Sequence, residues 1–143
     1  MIEAAIRQEL VDDSAVASLV VARVYPQIAA QGAVKPYIVY QRISSDRKRY
    51  LLSAVGIYST RIQIAAYGTT YSQAKTLADK TRLCLDGLRR TTIGSGASTL
   101  FVNSIVLDAE YDGFDEPNDG GQLGTHRVIQ DFIVWANETV PTH

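Results

Sequence analysis

One cysteine, one tryptophan, one methionine and two histidines are spread over 143 residues. A lone cysteine excludes an internal disulfide and any cysteine-rich metal site. The histidines, His126 and the final residue His143, have no ligand partner at useful spacing. No apolar run approaches the ~20 residues of a helical membrane span. The formal net charge is −1, from 14 basic and 15 acidic residues. That argues against a chain given over to nucleic-acid binding, whose domains are strongly basic. The opening MIEAAIRQEL mixes Glu3 and Arg7 into a short apolar pattern, unlike a signal peptide. The expectation is a cytosolic protein, or one assembled from a cytosolic pool.

What is present is ordinary for a folded domain: 46% hydrophobic and 20% charged residues. A chain of this length buries roughly 68–70% of its unfolded surface, so it carries its own core. One domain is expected over residues 1–143, with 136–143 as a loose tail. Ile2, Ala5, Ile6 and Leu10 form one stripe of an amphipathic helix. Asp12 or Asp13 caps a second short helix, and Pro26 forbids further helix locally. Residues 26–36 read as a loop. Residues 37–44 and 57–67 alternate as strands, with Ile62, Ile64 and Ala66 on one face of the second. Thr70 and Gln73 form a capping box that starts a helix. Its buried stripe is Ala74, Leu77, Ala78, Thr81, Leu85 and Leu88, while Leu83 points the other way, either as a singly exposed leucine or as a subunit contact. Gly87 ends the helix, and residues 91–99 read as a flexible connection. Residues 100–111 and 125–136 are the last two strands. The final strand is apolar on both faces, with Val128, Phe132 and Val134 against Ile129, Ile133 and Trp135, which suggests cover on both sides. The fold predicted is α+β: a four-stranded antiparallel or mixed sheet made of two hairpins, with helices on one face.

Sites of chemistry are scarce. Gly94-Ser95-Gly96 lacks the Lys-Ser/Thr ending of a phosphate loop. Cys84 sits beside the helix stripe, where a free cysteine acts as a small hydrophobe. Asn137-Glu138-Thr139 matches a glycosylation sequon, with no other sign of secretion. The acidic stretch 108–119 lacks the ligand spacing of a calcium loop. No catalytic group, metal or cofactor is assigned, and no enzyme is expected.

Several segments together resemble the tail-completion proteins of long-tailed bacteriophages and prophages. They are MIEAAIRQEL, VARVYPQIAAQGAVKPYIVYQRIS, TRIQIAAYGTTYSQAKTLADKTRLCLDGL and EYDGFDEPNDGGQLGTHRVIQDFIVWAN, in that order and over nearly the whole chain. Val24-Tyr25-Pro26, the run Pro36–Gln41, the helix set Tyr71, Ala74, Lys75, Leu77 and Ala78, and the closing Phe132, Val134 and Trp135 carry most of the likeness. The resemblance implies a structural protein of the virion that ends the tail tube and helps attach it to the capsid connector. Related terminators look like rings of six identical subunits. The partners implied are further copies of the chain, the tail tube protein and a head completion or connector protein, with no membrane. The alternatives are a monomeric adaptor and a small-ligand-binding α+β module without catalysis.

Two charged arms are the candidate contact sites. The connection 44–56 is long for a hairpin and basic, with Arg42, Arg47, Lys48, Arg49 and Tyr50. The connection 112–124 is acidic, with Asp112, Asp115, Glu116 and Asp119. The order of hairpins and helix predicts that the arms project from opposite ends of the sheet. The basic arm could also touch DNA passing through a tail, through a weak, salt-sensitive contact.

Overall fold

The computed structural model describes residues 2–29, 33–49, 54–115 and 124–137. Helices α1 (Ile2–Asp12) and α2 (Ser14–Val20) come first, then the short strand β1 (Val24–Pro26). Strands β2 (Tyr37–Arg49) and β3 (Ala54–Gly68) precede helix α3 (Tyr71–Leu85). Strand β4 (Arg89–Ile93), a single 3₁₀ turn (Gly96–Ser98), β5 (Leu100–Asp115) and β6 (Thr125–Asn137) complete the chain.

The strands form one six-stranded mixed sheet in the order β1-β2-β3-β6-β5-β4, curled into a half-barrel. This corrects the expected four-stranded sheet of two hairpins. β1 lies at the edge of what reads as a loop and is too short to alternate. It pairs parallel to β2, Val24 with Ile38 through Pro26 with Tyr40. Two arginines fix it: Arg7 Nε donates to the Val24 carbonyl at 3.1 Å, and Arg23 Nε to the Pro36 carbonyl at 3.0 Å. β4 occupies the segment RRTTI, which is mostly exposed and becomes a strand only by pairing with β5.

The long central strands are also longer than their alternation. β2 continues to Arg49, and Arg49 pairs with Ala54, so the basic arm is β-ribbon up to the connection 50–53. Bulges at Ile43, Asn103 and Asp108 each insert one residue and break the period of two. β6 ends at Asn137, so Ala136 and Asn137 belong to the sheet; the rest of the expected loose tail, 138–143, lies outside the described residues.

The core lies between the helices and one face of the sheet. Ile6 and Leu10 of α1, Leu77 and Leu85 of α3, Ile62 and Ile64 of β3, and Phe132 of β6 are fully buried there. α2 starts where the Asp13 carboxylate accepts from the N–H groups of Ala15 and Val16. α3 starts with the Thr70 hydroxyl accepting from Gln73 N–H, while Gln73 Oε1 accepts from the Thr69 N–H at 2.8 Å. That is the capping box, with its return bond one residue earlier than usual.

Candidate interaction site

The register sets the two hairpin ends apart. β3 pairs with β6 from Ile57–Asn137 to Gly68–His126. The end of β2 and the start of β3 therefore lie beside the end of β6, and the end of β5 and the start of β6 lie beside the end of β3, at the opposite end of the sheet.

Arg42 lies level with Ile62, in the middle of the sheet rather than at the first end, and pairs with Glu3 of α1 at 3.3 Å; nearer that end, the Arg47 guanidinium lies 5.5 Å from the centre of the Tyr58 ring. Lys48 and Arg49 belong to β2 as well. Tyr50 falls outside the described residues. At the other end, the Asp112 carboxylate accepts from Lys75 Nζ and from the Tyr71 hydroxyl, both at 2.9 Å. The Lys75 bond, with the Tyr71 bond behind it, holds Asp112 below the usual carboxylate range, and the same contact raises Lys75. Asp115 pairs with Arg127 across the hairpin. Gly113 makes room for that arginine, since a Cβ there would lie 2.6 Å from Arg127 Nε. Asp112 and Asp115 are thus each held by a cation of their own chain. Glu116 and Asp119 fall outside the described residues.

Among the described residues, no helix covers the second face of the sheet. Arg61 sits at its centre, 2.7 Å from Asp108 and 3.3 Å from Asp131. Gln63 extends this network to Tyr111 and Asp131. Toward the acidic end, Tyr37 stacks on Tyr67 at 4.9 Å, and Tyr25 meets Tyr37 edge-on at 5.8 Å. Burial, and then the neighbouring phenol, raise the Tyr37 pKa. Val106 is half exposed on this face, and Ile129, Ile133 and Trp135 are half buried. Leu83 of α3 is 61% exposed, away from the core. A notch of about 460 Å³ lies where β1 stops, between Glu3 and Ala4 of α1 and Tyr40 and Arg42 of β2. Among the described residues, no group of three or more His, Cys, Asp or Glu is placed to hold a metal.

A family model described as "Tail completion protein gp17" matches residues 4–137. The chain belongs to that family. It is accordingly a structural protein of phage tails, with its place in the virion. A chain from a structure titled "Virion of native gene transfer agent (GTA) particle" has the same fold, with a TM-score of 0.67 at 16% identity, over 94% of this chain and 93% of that one. A search for similar curated proteins gave no match.

For a tail completion protein, the surfaces that count are those left for neighbours. Sequence reasoning named the charged ends. It missed the ion pairs that occupy Asp112 and Asp115, because Lys75 and Arg127 are distant in sequence or across a hairpin. It also missed the tyrosine cluster and the Arg61 network. The available signal was the double-sided apolar pattern of β6, whose second face is the uncovered one.

Proposed function

We propose that this chain closes the end of the tail tube and joins the tail to the head connector, acting as a single domain in a ring of identical subunits with no catalytic step. The match to the tail completion family over residues 4–137 carries the reading. The arrangement of charge supports it. Arg47, Lys48 and Arg49 gather at one end of the sheet, and Asp112 and Asp115 at the other, next to Glu116 and Asp119 in sequence. A ring set between tube and connector has two different neighbours. Unlike ends steer each docking step and disfavour inverted association. Because Asp112 and Asp115 are internally paired, the surplus negative charge of the second end falls to the connection 116–123. Contact between the basic end and DNA in the channel is a minor, salt-sensitive addition.

The test is assembly without the protein. Heads and tails that fail to join, or tails of uncontrolled length, are expected; infectious particles at normal yield would refute the reading. Tails of correct length left unattached would assign the joining step rather than tube closure. Reversing Arg47, Lys48 and Arg49 to glutamate should leave the fold intact and block one neighbour only. Normal assembly of that variant across a salt series would remove the basic end from the reading.

A further inference from the structure

We propose that neighbouring copies of this chain join edge to edge, the open half of β2 in one copy pairing antiparallel with the open half of β5 in the next. The inference rests on the ring reading above and specifies its subunit contact.

Each side of the sheet is a step. β1 covers β2 only through Tyr40, where Gln27 N–H donates to the Tyr40 carbonyl at 2.8 Å. From Gln41 to Arg49, no described strand lies on that side. On the opposite edge, β4 covers β5 through Ser104, and Gly87 and Leu88 bond both backbone groups of Ile105 at 2.9 Å. The Asp86 carboxylate then accepts from Leu107 N–H at 2.9 Å and closes the cover. From Asp108 to Asp115, no described strand lies on that side. Open edges of this length are templates for another strand.

Direction and face both fit. The pairs β2–β3, β3–β6 and β6–β5 are all antiparallel, so β2 and β5 run oppositely. Copies related by rotation keep one polarity, and β5 of one therefore meets β2 of the next as an antiparallel pair. The contact is heterologous and closes a ring by rotation. Ile38 and Tyr40 direct backbone groups outward on β2, and Ile105 and Leu107 do so on β5. Carrying that alternation past the bulges makes Arg42, Ser45 and Arg47 the outward residues of one edge, and Glu110, Asp112 and Phe114 those of the other. Asp112 reaches α3, Arg42 reaches α1 and Arg47 lies over Tyr58, so these side chains share the helix-bearing face. One continuous sheet requires that.

We take the register that sets Glu110 against Arg47 while keeping Asp112 free of a second cation. It sets Glu110 opposite Arg47, Asp112 opposite Ser45 and Phe114 opposite Arg42. With β3 as the ruler, each copy is displaced by about six residues, or ~20 Å, across four strand spacings totalling ~19 Å. The strand inclination is then about 45°, at the upper end of the ~35–45° of closed barrels. The half-exposed Phe114 ring falls beside the notch between Glu3 and Arg42. Arg47 on one edge and Glu110 on the other disfavour pairing of like edges and favour the unlike pair.

The first measurement uses assembled particles carrying Asp46→Cys and Tyr111→Cys in a Cys84→Ala background. This register sets the two cysteines opposite each other on the uncovered face, within disulfide reach. Oxidation should give a ladder of covalent multiples, absent from either single variant. The second measurement needs no variant. The amides of Arg42, Ser45, Arg47, Glu110, Asp112 and Phe114 should exchange at least tenfold more slowly in the ring than in the free chain. Arg47→Glu or Glu110→Arg should weaken association about fivefold per contact, and the double reversal should restore it. Rings visible by electron microscopy with no ladder and unprotected edge amides would refute edge pairing and leave the ring standing. Particles that contain the protein without any ring would refute the ring reading, and this inference with it.

Discussion

Replacing Gly68 with alanine tests the junction that aims α3 along the sheet. Gly68 is the last residue of β3, two before the helix cap Thr70. A Cβ there would lie 2.8 Å from the Ala74 backbone nitrogen, 3.1 Å from Gln73 Oε1 and 3.2 Å from Gln73 Cβ. Neither neighbour gives way freely. Ala74 N–H is bonded to the Thr70 carbonyl at 3.1 Å, and Gln73 Oε1 holds both the N–H and the hydroxyl of Thr69. Relief therefore shifts the first turn of the helix or gives up part of its cap. Overpacking costs about 1–3 kcal/mol and a lost cap about 1 kcal/mol. Alanine returns about 0.5–1 kcal/mol by restricting the unfolded chain. The net is about 2 kcal/mol. At ~2.1 cal/mol/K per residue, that lowers the melting temperature of a domain this size by about 7 °C. Calorimetry or thermal circular dichroism reads it directly. A Gly68→Ala variant melting within about 2 °C of the parent would refute a fixed strand-to-helix junction.

Phe132→Ala, at a fully buried ring in the centre of β6, should destabilise by about 3–5 kcal/mol; a urea titration showing less than ~1 kcal/mol would mean that the core collapses around the cavity. Burial, with Asp13 and Glu9 nearby, pushes the Cys84 thiol up to about 12, so the native protein should resist alkylation at pH 8 and react at once in denaturant. Equal rates in both states would contradict the burial. The clamp of Lys75 and Tyr71 on Asp112 depends on pH. The folded carboxyl is lowered, so its contribution is present above the ordinary carboxylate range and lost as pH falls through the depressed value; Lys75 is raised, so its share is lost only in strong alkali. In Lys75→Met, the Asp112 carboxyl carbon should titrate at higher pH by NMR, and an unmoved midpoint would refute the clamp.

The helices were legible because they bury a stripe. Ile2, Ala5, Ile6 and Leu10, and Ala74, Leu77, Ala78, Thr81 and Leu85, are buried as their spacing requires. The middle of each long strand was legible through the alternation of Ile62, Ile64 and Ala66, or of Val128, Phe132 and Val134. The ends were not. From Ser44 to Arg49, β2 is polar on both faces, so nothing in its pattern separates strand from loop. The bulge at Asp108 shifts the phase of β5 partway along. β1 and β4 owe their existence to pairing partners rather than to any local preference. Of the candidate site, only the opposite directions in which the β2–β3 and β5–β6 strand pairs end followed from element order. The partners of Asp112, Asp115 and Arg61 needed the register, because each lies across a strand boundary or on another element.

The opposed hairpin ends also decide how the domain bears load. A pull applied between the start of β3 at Ala54 and the start of β6 at Thr125 acts along the strands. The ladder from Ile57–Asn137 to Gly68–His126 lies between those points. Its hydrogen bonds are perpendicular to such a force, so they resist together, in shear, instead of opening one after another. Tension transmitted from one end of the sheet to the other meets the domain in its stiffest direction.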